Sequence, residues 1–147
     1  MYIKKIKSIN FVDGTETERP YYFNLSKAEL MEMELSTDGG LKSYIERIVE
    51  TKKTPELVAL FKKLILMAYG ERSDDGMRFI KTRPDGSRLA DEFAQTDAYS
   101  ELFMELATNE QAAIEFINGI IPAQLQAQLT AEQGSNPGHA YPAKVGQ

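Results

Sequence analysis

Residues 96–122 read TDAYSELFMELATNEQAAIEFINGIIP, and this stretch decides the fold because it encodes two short amphipathic helices in immediate succession. Tyr99, Leu102, Phe103 and Leu106 recur at the i, i+3, i+4, i+7 spacing of one helical face, which predicts a helix starting after Thr96. Thr108, with Gln111 three residues on, forms a capping box that opens the second helix. Ala113, Phe116, Ile117, Ile120 and Ile121 make its apolar stripe, and Gly119 and Pro122 mark its expected end. Every charge in the segment is acidic: Asp97, Glu101, Glu105, Glu110 and Glu115.

Working outward, the N-terminus reads as a β-hairpin, with Asp13-Gly14 as a two-residue turn between strands at about Tyr2–Val12 and Thr15–Leu25. Pairing Val12 with Thr15 puts Ile6 opposite Tyr21, Lys4 opposite Phe23 and Tyr2 opposite Leu25. Tyr2, Ile6, Tyr21, Phe23 and Leu25 then share one face, which needs a helix against it. Ile9 and Phe11 fall on the other face and call for a bulge, a twist or a second partner surface at the far end. Pro20 cannot donate to a ladder, so its strand is expected to lie at an edge there. Ser26 with Glu29 is a further capping box, opening a helix with apolar Leu30, Met31, Met33 and Leu35. Thr37-Asp38-Gly39-Gly40 breaks it, and Leu41, Tyr44, Ile45, Ile48 and Val49 space out the next helix. Thr54-Pro55 starts another, Glu56 to Tyr69, which is apolar on more than one side and is expected to end at Gly70. Such girth suits central burial or an oligomer interface. Between Glu71 and Thr96, Asp75-Gly76 and Asp85-Gly86 are turn signals around a short extended piece, Met77–Thr82, with a helix from about Ser87 to Ala94.

The expected fold class is therefore α+β and mainly α-helical, an N-terminal hairpin packed on about five or six short helices. A single domain over 1–122 (hairpin 1–25, helices 26–122) precedes a flexible tail at 123–147, where Gln, Ala, Gly, Ser and Pro prevail.

Composition narrows the function. The chain has 147 residues, 42% hydrophobic and 27% charged, as in ordinary globular proteins. Its longest apolar run, Leu64–Tyr69, falls far short of the roughly 20 residues that span a bilayer, so no membrane partner is expected. No secretory signal is legible and there is no cysteine, which together predict a cytoplasmic protein without disulfides or thiolate chemistry. Net charge is −5, and the only basic cluster is Lys4, Lys5 and Lys7. Nucleic acid is not an expected partner, since phosphate binding needs a basic stripe. Those lysines read instead as the solvated side of an edge strand.

No residue set points to catalysis. The single histidine, His139, lies in the predicted tail, away from any nucleophile. Asp74 and Asp75 before Gly76 lack the remaining oxygen ligands of a calcium loop, and no glycine pattern for phosphate occurs. Neither metal nor cofactor is expected. The i, i+4 acids Glu101 and Glu105 read as a solvated face, while Met31, Met33, Met67 and Met104 lean toward adaptable protein contact.

Three blocks carry a resemblance: FNLSKAELMEMELS at 23–36, YGERSDDGMRFIK at 69–81 and AYSELFMELATNEQAAIEFINGIIP at 98–122. In order and spacing they resemble the tail assembly chaperones of long-tailed bacteriophages, with Arg83-Pro84-Asp85-Gly86 as an apparent insertion and the stretch after Pro122 unmatched. The resemblance implies a non-enzymatic, self-associating late protein of the host cytoplasm. It would bind the tape measure protein, help recruit tail tube (major tail) subunits and be missing from the mature virion. It also implies that this chain corresponds to the shorter of two frameshift-related forms. A tail completion or connector protein retained in the virion is the competing class. A holdase needs apolar ridges on which an amphipathic helix can lie. The residues expected to touch the client are Phe103, Met104, Phe116, Ile120 and Ile121, and those for self-association are Leu60, Ile65 and Met67.

Overall fold

The computed structural model describes residues 1–36, 39, 40, 43, 46, 47 and 55–121, the side chains of 55–57 and 60 excepted. Strands β1 (Tyr2–Ile9) and β2 (Glu16–Phe23) come first, then helices α1 (Lys27–Ser36) and α2 (Pro55–Ala68). Strands β3 (Tyr69–Arg72) and β4 (Phe79–Ile80) follow, and helices α3 (Leu89–Phe93), α4 (Asp97–Thr108) and α5 (Glu110–Ile120) close the described chain. The helix expected over Leu41–Val49, the Thr54 cap and the tail at 123–147 with His139 lie outside the described residues.

The hairpin is half of a larger sheet. Its four strands run in the order β1-β2-β3-β4, every neighbouring pair antiparallel. Tyr2 faces Phe23 and Ile6 faces Arg19, two residues away from the register that a two-residue Asp13-Gly14 turn gives. The turn is longer because polar side chains close it. Asn10 Oδ1 accepts from Val12 N at 2.8 Å, and Asp13 Oδ1 accepts from Thr15 N at 3.0 Å, while Asn10 N donates to Thr15 O at 2.8 Å. A shift of two leaves every side chain on its face, since the strand period is two. Tyr2, Ile6, Tyr21 and Phe23 do share the inner face, and Leu25 is buried with them. Pairing is unbroken from Tyr2 to Ile9, so no bulge is needed, and Ile9 and Phe11 are simply exposed.

Strand β3 was masked in the sequence by the helix that runs into it. Gly70 does not cap α2 but pairs with Tyr22, and a Cβ there would stand 2.6 Å from the Phe79 ring and 2.7 Å from Ile80 O. Only glycine permits that approach of β4. The β2–β3 ladder stops after Tyr22 and Phe23, so Pro20 sits on a locally open edge, as its missing N–H requires.

Helices α4 and α5 cover the inner face of the sheet. Thr96 Oγ1 accepts from Tyr99 N at 3.2 Å, capping α4 as expected. The second cap is not Thr108, whose hydroxyl donates back to Met104 O at 2.7 Å and so belongs to the last turn of α4. Asn109 is the cap: its Oδ1 accepts from Ala112 N at 3.1 Å, and its own N–H donates to Glu105 O. One extended residue thus ends α4 and starts α5. Gly119 does not end α5, which continues to Ile120.

The core centres on Phe23, which is fully buried and meets Phe116 at 5.2 Å, Tyr69 at 5.7 Å and Phe93 at 5.9 Å between ring centroids. Phe93 of the short helix α3 stacks on Tyr69 at 4.1 Å. Ser26 and Glu29 form the expected reciprocal capping box, at 2.8 and 3.1 Å. Glu29 has a second task. Its carboxylate accepts from Lys81 Nζ at 2.7 and 2.8 Å, and the same ammonium donates to Asn24 O at 2.9 Å and Met67 O at 2.7 Å. Burial pushes the Lys81 ammonium below its ordinary pKa, with Glu29 opposing that shift.

Candidate protein-binding surface

Among the described residues no group of three metal-ligating side chains converges. No described helix is long and apolar enough to cross a membrane. Asp75 accepts from Ser73 Oγ at 2.7 Å and Met77 N at 2.9 Å, and Asp85 from Ser87 Oγ at 2.6 Å and Ser87 N at 2.9 Å, bonds that hold turns and keep both carboxyls below their usual pKa. The Arg83–Asp85 segment closes a turn through Arg83 N to Ser87 O at 2.8 Å, and the Arg83 guanidinium pairs with Glu92.

Two concave regions stand out among the described residues. One, of about 630 Å³, opens where β2 and β3 part, between Tyr21, Tyr22 and Tyr69 on one side and the Glu71–Gly76 turn on the other. Arg72 lies over the Tyr22 ring at 5.4 Å, and Arg19, Glu71, Asp74 and Asp75 mix charge around the rim, so no single-sign ligand is selected. The other, of about 390 Å³, is a groove between the outer edge of β1 and helix α4. Lys4, Lys5 and Lys7 form one wall and Glu101, Met104 and Glu105 the other.

The groove follows from local structure. Asn10 pairs with Thr15 by a backbone hydrogen bond, so bonds to β2 fall on even residues of β1. The N–H and C=O of Ile3, Lys5, Lys7 and Ile9 therefore point outward. Helix α4 runs beneath that edge, held at one end by Ile9 N donating to Asp97 Oδ2 at 2.9 Å and at the other by Lys4 Nζ to Glu105 Oε2 at 2.8 Å. That bond to Glu105 raises the Lys4 pKa. Leu102 and Leu106 turn into the core, which leaves Met104 58% exposed on the groove side.

The residues expected to meet a client are thus divided by the packing. Met104 is exposed and Phe103 half-buried, its ring 6.4 Å from that of Phe61. Phe116, Ile120 and Ile121 are buried beneath the sheet. Of the self-association residues, Ile65 is fully buried and Met67 is half-buried, packed against the core. The side chain of Leu60 lies outside the described ones. Sequence reasoning missed the outward edge of β1 as a site, because only the register shows which backbone groups are left over. Phe11, which the sequence places on the far face, and Val12 are 70% and 95% exposed at the hairpin tip.

No curated protein and no solved structure matches the chain. A sequence family described as phage tail assembly chaperone matches residues 1–145, nearly the whole length, and the chain belongs to that family.

Proposed function

We propose that this chaperone acts without catalysis, holding the tape measure protein in soluble form in the host cytoplasm and helping tail tube subunits assemble around it. Family membership supports the class of role, and the observation that carries the surface is Met104, a methionine exposed between Glu101 and Glu105 on a helix that buries Ala98, Leu102 and Leu106 on its other side. A flexible thioether accommodates varied apolar partners, and the flanking acids keep the complex solvated. Phe103 stands behind it, and Phe116, Ile120 and Ile121 support the face from within; they reach a client only if the domain opens. Self-association belongs on the side of α2 bearing Leu60 and Met67, with Ile65 as its internal support.

Co-expression with the tape measure protein tests the reading. A soluble complex should form with the natural chain and fail with Met104→Glu, while the variant's circular dichroism and melting stay unchanged. A client equally soluble with the variant overturns the assignment of Met104. Purified virions should lack the protein, and finding it there at fixed stoichiometry would favour a retained completion or connector protein instead.

A further inference from the structure

The outer edge of β1 is an unfinished ladder. The N–H and C=O groups of Ile3, Lys5 and Lys7 point away from β2 and have no partner among the described residues, whereas Asp97 closes the edge at Ile9. Free edges are either shielded or extended by another strand. Shielding is incomplete here, for α4 lies below the edge and leaves the groove open in front of it.

Three features determine what fits. The lower row of an added strand faces Met104, which accepts an apolar side chain, and Glu101, which disfavours an acid there. The upper row lies beside Lys5 and Lys7. Lys7 stands opposite Glu18 in β2, but Lys5 stands opposite Pro20 and has no cross-strand acid, so acids above it gain an opposite-charge neighbour. Lys4 is already paired with Glu105. A second copy of β1 fits poorly, since it brings Lys5 and Lys7 against their own counterparts, and like charges directly opposite are destabilising.

We infer that β1 captures an extended client segment with alternating acidic and apolar side chains, which adds to the sheet as a fifth strand with its apolar row on Met104. This rests on the reading of the Met104 face as the client surface, and it makes the captured segment a strand rather than a helix.

A short synthetic peptide alternating Glu and Val, added to the full chain, provides the probe. Amide hydrogen exchange should slow at Ile3, Lys5 and Lys7 and stay unchanged at Val12. Binding should weaken at least about tenfold, or about 1.4 kcal/mol, for a peptide with Lys in place of Glu, for one N-methylated along its pairing edge, and for Lys5→Pro. That proline removes an outward N–H and no bond to β2, so the hairpin stays intact; should the variant nevertheless unfold, the N-methylated peptide asks the same question. Failure of the peptide to bind, equal binding of the N-methylated peptide, or a dimer that itself protects β1 overturns the inference. Loss of client solubility with Met104→Glu but not with Lys5→Pro also overturns strand addition while leaving the client surface in place. Slowed exchange as expected, with client solubility indifferent to both variants, supports strand addition and refutes the client reading.

Discussion

At Gly119 a missing methyl group decides how the two ends of the described chain meet. A Cβ built there stands 2.3 Å from Cδ1 and 2.9 Å from Cβ of Tyr2, whose ring meets Phe116 edge-on at 5.5 Å. The obstruction includes the root of the tyrosine, so rotation of the ring alone does not clear it. Gly119→Ala gains roughly 1 kcal/mol of helix propensity but forces an overpacked contact costing about 1–3 kcal/mol. Net destabilisation of about 1 kcal/mol is expected in urea titrations. With Tyr2→Gly already present, which removes the Cβ as well as the ring, the sign should reverse, because the propensity gain then stands without the clash. From the sequence alone this glycine reads as a helix stop. Its reason is a contact with the opposite end of the chain, which no local pattern encodes.

Between elements, the joint of α4 and α5 separates two adjacent capping residues that the sequence cannot rank. Thr108 and Asn109 are both good caps, and the outcome depends on where α4 runs out. Since Thr108 Oγ1 donates to Met104 O, it is spent within α4, and Asn109 Oδ1 takes Ala112 N. Asn109→Ala should therefore cost about 1 kcal/mol, and Thr108→Val no more than about 0.5 kcal/mol; equal losses in thermal melts would return the cap to Thr108. Elements with strong local signals were legible: the Ser26–Glu29 capping box, the amphipathic faces of α4 and α5, the inner face of the hairpin. Strand β3 was not, because Tyr69 and Gly70 continue the apolar run of α2, and β4 has two residues, too few for a period. Nor was the division between buried and exposed among the residues expected to meet a client, since an apolar stripe looks the same whether a sheet or a partner covers it.

For the molecule as a whole, phenols and ammonium groups set a one-sided response to alkali. Burial pushes Tyr69 from 10.0 to about 12 and raises Tyr2 and Tyr99 in the same direction. The folded chain holds these protons after the unfolded chain has released them, so their contribution is complete below pH 10.0 and is lost as pH rises toward about 12. Lys4, raised by its bond to Glu105, acts likewise above 10.5. Lys81, lowered by burial, opposes them up to 10.5, because the folded chain sheds that proton first. The urea midpoint should fall between about pH 9 and about pH 11, and Tyr69→Phe should flatten the fall. A midpoint that rises instead would put Lys81 in control.

Lys81 also bears on how the molecule comes apart. Its ammonium joins the end of β2, the first turn of α1 and the last turn of α2 through Asn24, Glu29 and Met67. None of these segments can detach singly without stranding a charge that the other two have drawn out of water. Fraying at one is thereby penalised at all three, and the segments behave as a single cooperative unit in which local opening gives way to all-or-none release.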